Sequence, residues 1–581
     1  MNDFLTRNPV FRFYKWLFLK GRDWFVSLTE KGDKGPLIIK VCMIVLFFSM
    51  ASVFMSTWED YRDAGSSGLS VEGEPTAELP PVAPIIWRAL SVLLALIGVV
   101  ASLLIRPEKS NRSQQRFIII ALWMAALAGL SSWLPPDVIE TQRALTGKAL
   151  AGETPSIFAY FGQLVLVSSL IISVPLAAWL YFRLSLMDRY VVQSFLSPFL
   201  FCLFSFTAIW VIADMNDNAK YLAQMQDGQA FQYYIVQIPF VVLFVMPIVM
   251  LLAGLFSLTT LSKSNELISM IGAGRSVTRI LMPLFIIGLY SSMICLAFKF
   301  HWAPTSVGTS DAIMESAKAS FWAKRRGTEV APVLYSKRGW MHVNEPDQRT
   351  WFVGAVPLKL SDPMSDVVVA KLNDKGQPEV VWIAKRAKWV WNSSPPQWQL
   401  FTVTVYTYDD ERIPLMTRHA QLTIDDWSET PWKVLSSAQN PEYLGMPGLT
   451  MYLNANSDMN DDRLAPFRTN RWNIFSEPFT CFVMILVAAP LGVVYSRRGG
   501  MAGVTGAIII FALMYLMRTT FIALGQGSNM NPFVAAWLTN VIIGAIGVFL
   551  LAFRARNREF PKLKTVIMAP FKKKPVVPAS R

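Results

Sequence analysis

The chain has 581 residues, of which 53% are apolar and 16% charged, and its formal net charge is +14. Soluble proteins carry about a quarter charged residues, so a wholly cytosolic protein is excluded. The 38 Phe, 20 Trp and 26 Met exclude disorder over most of the length. The positive surplus is compatible with nucleic acid, with anionic lipid, or with membrane topology alone, and the positions of the charges decide among them.

A helix needs about 20 mostly apolar residues to cross the ~30 Å hydrocarbon core. Ten stretches qualify, near 37–57, 85–105, 117–134, 157–182, 191–213, 234–261, 280–300, 475–496, 503–524 and 532–553. Tyr234 to Leu261 runs 28 residues without a charge, and Val191 to Ala213 runs 23. Gly525-Gln526-Gly527 and Asn531-Pro532 interrupt the uncharged run 519–553 and mark a turn between its two spans. With the N-terminus in the cytosol, the inside segments carry 27 Lys+Arg and the short outside loops 4. That asymmetry is the positive-inside signature, and it predicts both termini in the cytosol. The hydrophilic segment 303–472 then falls outside, with 19 basic and 19 acidic residues. The surplus charge therefore lies along the cytosolic rim, and nucleic acid is not an expected partner. The tail with Lys572, Lys573 and Lys574 is suited to anionic lipid. The basic, aromatic stretch Phe11–Trp16 lacks the form of a cleaved signal and is compatible with an interfacial helix.

Residues 1–182 read as a four-span membrane block without an intramembrane acid, and Arg88 near a helix end can snorkel. Residues 183–302 hold three spans, 303–472 an external domain, 473–553 three more spans, and 554–581 a basic tail. The external domain reads as β-rich, with runs at Pro332–Val343, Thr350–Val356, Asp366–Leu372, Glu379–Trp391, Gln397–Tyr408 and Gln421–Ile424. In Gln399–Tyr408 strict alternation puts Phe401, Val403 and Val405 on one face, and Leu400, Thr402, Thr404 and Tyr406 on the other. Both faces are then partly apolar, which predicts a curved sheet or sandwich. The fold class is thus a polytopic α-helical membrane protein of about ten spans, with an extracytoplasmic β-domain between spans 7 and 8. Cys42, Cys202, Cys295 and Cys481 all fall in spans, so the β-domain stands without disulfides.

Catalytic chemistry finds no residues to carry it. Gly147-Lys148 lacks the upstream glycine of a phosphate-binding loop. His301, His342 and His419 have no second ligand at metal spacing, so neither a metal nor a cofactor is expected in the chain. Asp409-Asp410 and Asp425-Asp426 read as turn residues, and no nucleophile has a base beside it.

The loop Ser262–Arg275 is more informative. Ser264 is placed to cap a short helix, with Glu266 in its first turn where the helix dipole favours an anion. Leu267, Met270 and Ile271 share one face, and Gly272 or Gly274 ends the helix. Two readings stand side by side. In one this is only a capped connector; in the other it is a coupling helix that an ATPase subunit grips to move two spans.

Residues 187–304 and 441–553 resemble the permease subunits of the lipopolysaccharide-export ABC transporter, the LptF/LptG type. The resemblance is carried by Met187-Asp188-Arg189-Tyr190, Ile238-Pro239, Met246-Pro247, Leu251-Leu252-Ala253-Gly254, Ser264-Asn265-Glu266-Leu267 and Gly272-Ala273-Gly274-Arg275. Trp302-Ala303-Pro304, Arg468, Arg471-Trp472, Glu477-Pro478, Ala489-Pro490-Leu491-Gly492 and Asn531–Asn540 continue it in order. It implies six spans with a periplasmic β-jellyroll between the third and fourth, in the bacterial inner membrane. It further implies a second permease, a dimeric LptB-type ATPase, LptC- and LptA-type periplasmic partners, and lipopolysaccharide as the transported lipid. ATP would then be hydrolysed in trans, with Glu266 meeting an ATPase arginine and the loop through Arg275 forming the coupling element. A gate would be lined by spans 191–213 and 503–524, where Phe206 and Leu513 are lipid-binding candidates.

Two departures stand out. The four N-terminal spans are extra, and the lysines that one permease of the pair carries along its first span are missing from Trp210–Asp214. Lys220 follows nearby as a candidate for lipid phosphate. Arg518, about 9 Å inside a gate span, is a second, because a charge there needs a cavity or must snorkel. Arg497 and Arg498 read as inside-positive anchors. The rival functions are a mechanotransmission-type ABC membrane subunit that moves no lipid, and a membrane scaffold or sensor with an external binding domain.

Overall fold

A computed structural model describes residues 35–67, 83–104, 112–150, 157–223, 225, 228–326, 335–344, 347–357, 363–373, 376–390, 397–408, 414–430, 434, 441–456, 460–493 and 500–556. Phe11–Trp16, Arg497, Arg498 and Lys572–Lys574 lie outside the described residues. Ten of the described helices are long and apolar enough to cross a membrane, close to the ten stretches expected.

The first four, α1 (Gly35–Ser67), α2 (Ala83–Leu103), α3 (Arg112–Leu150) and α4 (Ile157–Arg183), pack in chain order. Helix α2 buries Ser91, Ala95, Gly98, Ala101 and Ser102, small residues of the kind that let helices approach closely in lipid. Helix α4 ties this block to the remainder.

The second set comprises α5 (Leu186–Leu222), α6 (Gln229–Lys263), the short α7 (Glu266–Gly272), α8 (Val277–Ala297) and α9 (Ala303–Arg326). A π-helical turn at Phe298–Trp302 joins α8 to α9 without a break. After the strands come α10 (Gly445–Ala455), α11 (Asp461–Gly492), α12 (Gly500–Gln526) and α13 (Pro532–Ala555). Helix α11 begins well before the apolar stretch expected at 475 and ends at Gly492. Asn531 caps α13, its side-chain oxygen accepting from the Phe533 N–H at 3.0 Å, with Pro532 in the first turn.

The centre of this set is the contact of α6 with α11. A Cβ on Gly254 would stand 2.6 Å from Ile485 and 3.1 Å from Ala488, and one on Gly492 would stand 2.7 Å from Leu258. The Ser262 hydroxyl donates to the Gly492 carbonyl at 3.3 Å. Leu251–Gly254 and Ala489–Gly492, far apart in the chain, are thus two sides of one close helix crossing. The Cys295 and Cys481 thiols meet at 3.7 Å where α8 joins the same core.

Between α9 and α10 the chain forms one six-stranded antiparallel sheet in sequential order: β1 (Tyr335–Asn344), β2 (Arg349–Pro357), β3 (Met364–Leu372), β4 (Pro378–Val390), β5 (Gln397–Tyr408) and β6 (Pro414–Ile424). Every neighbour is a hairpin partner, so the described strands make a meander. The two-sheet crossovers of a jellyroll are not among them.

A crease runs across this sheet. One pair drops out of each ladder while the register continues, and the unpaired positions line up as Gly339, Gly354, Asp366, Lys385, Thr402 and Ala420. Gly339, Asp366 and Thr402 take positive φ of 68°, 52° and 53°. A side chain on Gly354 would reach 2.7 Å from the Asp366 Cβ, so glycine is required where the strands close up. The side-chain alternation slips at the crease. Met364 and Val367, Ala384 and Ala387, and Leu400 and Val403 are buried pairs with two residues between them. Leu400 therefore joins Val403 and Val405 in the core, and Phe401 does not, which corrects the strict two-residue alternation.

Five tryptophans fill the apolar face in a continuous chain, Trp382–Trp427–Trp351–Trp398–Trp389, with ring centroids 4.9–5.3 Å apart. Trp427 comes from the segment after β6, which folds back onto the sheet. Trp398 donates its indole N–H to the Glu429 carbonyl at 2.8 Å. The fully buried Glu429 carboxylate accepts from Arg349 Nε and Asn344 Nδ2, each at 2.8 Å. Asp347 receives the Ser428 hydroxyl and the Arg349 guanidinium.

Removing one partner of a buried pair leaves the other charge unpaired. Glu429→Ala is expected to destabilise the sheet by roughly 3–5 kcal/mol, read as a lower denaturant midpoint of tryptophan fluorescence in the detergent-solubilised chain. The Ser428 hydrogen bond, with Arg349, holds Asp347 below the ordinary 3.8. A lowered folded pKa gives stability that is present above the unfolded value and lost as pH falls through the folded one. Thermal unfolding below pH 4 should therefore show an acid-dependent loss that Asp347→Asn flattens.

Candidate functional site at the loop between α6 and α8

Helix α7 is only seven residues long, so its position depends on what surrounds it. Its N-cap is Asn265, in the left-handed region at φ 60°, and not Ser264. Ser264 instead turns its hydroxyl back to the Thr260 carbonyl at 3.0 Å, finishing α6. The C-terminus closes as expected: Gly274 sits at φ 87°, its N–H bonds the Ile271 carbonyl, and the Arg275 N–H bonds the Met270 carbonyl. These are the two bonds of a Schellman cap, which glycine at that position makes available.

The apolar face packs inward. Leu267 is 1% exposed and Met270 9%, both within the α5–α6–α8–α11 core, with Ile271 packed beside them. Ile268 is 43% exposed and Ser269, Gly272 and Ala273 face outward. Leu267 and Met270 thus seat the helix, and the open face is Glu266, Ile268, Ser269 and Gly272.

Polar contacts fix both ends of the loop to the first turn of α5. Tyr190 donates its hydroxyl to Glu266 Oε2 at 2.5 Å. Arg275 Nη1 pairs with Asp188 Oδ1 at 3.1 Å, and Arg279 approaches the other Asp188 oxygen at 3.6 Å. Ser185 caps α5, its hydroxyl accepting from the Asp188 N–H, and Arg275 Nη2 reaches that hydroxyl at 3.4 Å. Asp188 itself is 5% exposed. Asp188 and Tyr190 stood out in the sequence only as part of a motif, and neither drew attention as a partner of the loop.

A second polar network lies toward the sheet-side end of the helices. Arg518, on α12, is not an unpaired charge: Nη2 pairs with Glu477 of α11 at 3.1 Å and bonds Asn473 Oδ1 at 3.0 Å. Glu477 Oε2 also holds Lys299 at 3.0 Å. Lys299 stands in the π-helical turn between α8 and α9, a local widening that often marks functional positions. Two cations share one carboxylate, and all three side chains are less than a quarter exposed. The expectation that Arg518 needs a cavity or snorkelling is corrected by this internal carboxylate. Lys299 carries no such signal in the sequence, where a lysine at a span end is an ordinary anchor.

The remaining candidates are dispersed. Lys220, at the C-terminal end of α5, is exposed, with its ammonium 4.9 Å from the Tyr221 ring. On the same helix, Asp214 accepts from the Tyr233 and Tyr234 hydroxyls at 3.3 and 3.1 Å. Phe206 is half-buried on α5 against α6, and Leu513 of α12 is 48% exposed. Both α5 and α12 pack against α6.

Ten membrane-length helices among the described residues, with a short helix seated between two of them, define a multi-pass membrane protein. A family model described as "Lipopolysaccharide export system permease LptF/LptG" matches residues 189–552, more than half the chain, and the chain belongs to that family. It is similar to the lipopolysaccharide export system permease protein LptF of Escherichia coli strain K12, 31% identical over 72 residues. The same identity holds for the LptF proteins of Escherichia coli O157:H7 and Shigella flexneri. That match covers 12% of this chain and spans a fifth, 20%, of each relative's length. Helices α1–α4 lie ahead of the family match.

Glu477→Ala leaves Lys299 and Arg518 facing each other without their shared anion. It should lower the thermal stability of the detergent-solubilised protein by roughly 3 kcal/mol or more, and adding Lys299→Met should recover part of the loss.

Proposed function

We propose that this chain is the permease subunit of an exporter that extracts lipopolysaccharide, or a related glycolipid, from the bacterial inner membrane, driven by ATP hydrolysed in trans. It pairs with a second LptF/LptG-type permease. A dimeric LptB-type ATPase docks on the cytosolic loop containing α7, with both chain termini on that side. Lipid enters a gate lined by α5 and α12 and leaves along the periplasmic β-domain toward LptC- and LptA-type partners.

The observation that carries this reading is the seating of α7. One face is sealed in the core by Leu267 and Met270, while Glu266 stands on the open side in a charge-accepting position. A helix held so firmly moves its surroundings when it is moved. A basic ATPase residue replaces the Tyr190 hydroxyl as the partner of Glu266, and Ile268, Gly272 and Gly274 allow a close fit. In the gate, Arg518 reaches a lipid phosphate by exchanging Glu477 for it, and Lys220 offers a second cation near the exit. Phe206 and Leu513 line the acyl-chain path.

Co-purification of the full chain tests the ATPase arm. Glu266→Arg is expected to abolish recovery of the ATPase and cell growth; intact association and viability would refute the coupling role. A photocrosslinking amino acid at Phe206 or Leu513 should form a lipopolysaccharide adduct in an ATP-dependent manner, and no adduct at either position would favour a subunit that moves no lipid.

A further inference from the structure

The loop that carries α7 is joined covalently to α6 and α8, yet α5 is the helix proposed to line the gate. Helix α6 is buried over 78% of its apolar stretch and α5 over 11%. A displacement entering at α7 reaches α5 through the backbone only by way of α6, on which α5 packs. The polar contacts offer a direct route. Glu266, at the start of α7, is tied to Tyr190, and Arg275, just after its end, is tied to Asp188, so the two ends of the short helix grip a single turn of α5.

We propose that Asp188 is a positioning residue for transmission: with Arg275 it makes a rigid linkage that carries movement of the α7 loop to α5, independently of the docking contact at Glu266. The contacts of Asp188 reach beyond its own helix cap. Asp188 is buried and faces two arginines from the far side of the loop, Arg275 and Arg279. Its carboxylate also accepts from the Ser185 N-cap hydroxyl at 2.8 Å, so one buried group serves both the start of α5 and the loop arginines. Arg275 also reaches the Ser185 hydroxyl, which makes its grip on the turn two-pointed. The Schellman cap at Gly274 sets the direction in which Arg275 leaves α7, so the linkage begins at a backbone feature without slack.

The inference rests on the proposed export function, and the test separates the two. The full chain is expressed with its partners in its own cells, with a photocrosslinker at Phe206 and protein abundance followed by immunoblot. Asp188→Asn is expected to lower the ATP-dependent lipopolysaccharide adduct about tenfold, with abundance and co-purified ATPase unchanged. Asp188→Glu, which keeps the charge, should restore most of the adduct. Arg275→Gln should match Asp188→Asn, and combining them should cost little more than either alone. A wild-type adduct yield in Asp188→Asn overturns the linkage while leaving the export function standing. Loss of the ATPase together with the adduct also overturns it, since Asp188 would then serve docking or folding. Failure of the unsubstituted chain to give any adduct refutes the export reading, and the linkage falls with it.

Discussion

The close contact between α6 and α11 is the constraint on which the membrane part depends. In lipid the hydrophobic effect does not draw helices together, so association relies on packing and on hydrogen bonds between them. Gly254 and Gly492 remove the side chains that would hold the two backbones apart, and Leu258, Ile485 and Ala488 fill the spaces so created. The two helices lie on either side of the inserted sheet in the chain. Their contact closes the halves into one body, from which the chain enters the sheet through α9 and leaves it through α10.

Around that body the helices differ in how far they are held. Helices α6 and α11 are buried over 78% and 72% of their apolar stretches, against 11% for α5 and α12. The peripheral pair still pack on α6, α5 through Phe199, Cys202, Leu203 and Phe206, and polar, directional contacts add to that packing. Arg518 tethers α12 to α11 through Glu477, and Asp188 and Tyr190 tether α5 to the α7 loop. A packed centre with outer helices tied to it by added polar contacts is consistent with the proposed export function.

How much of this could be read from the sequence follows from the range of each interaction. The spans were legible because the membrane imposes one long-period rule on composition, and the same holds for six strands separated by turn residues. The face of β5 was not. Period-two reasoning assumes an uninterrupted pleat, and the positive φ at Thr402 breaks it, so Leu400 and Phe401 exchange roles. The cap of α7 was misplaced for a similar reason. Ser264 has a good capping side chain, but α6 uses it and the helix starts one residue later. The ion pairs were out of reach altogether, because Asp188 with Arg275 and Glu477 with Lys299 and Arg518 join residues whose proximity only the packing creates. The motifs Met187–Tyr190 and Glu477-Pro478 flagged the right segments without saying what they hold.

The appended block α1–α4 meets this scheme at two places. Helix α4 lies along α8, with the Ser173 and Tyr290 hydroxyls 3.1 Å apart, and Tyr160 and Leu166 pack on the cluster around Phe300, next to Lys299 in the π-helical turn. At its other end, the Tyr181 and Phe182 carbonyls, which terminate α4, accept from the Arg189 guanidinium in the first turn of α5. That turn is already gripped by the α7 loop through Asp188 and Tyr190. The first turn of α5 therefore collects the end of the appended block and both ends of the α7 loop. Helix α4 spans the distance from there to the turn that positions Lys299. A block attached at only one of these points could be a passive neighbour. Attached at both, it links the loop-side grip on α5 with the surroundings of the sheet-side ion network.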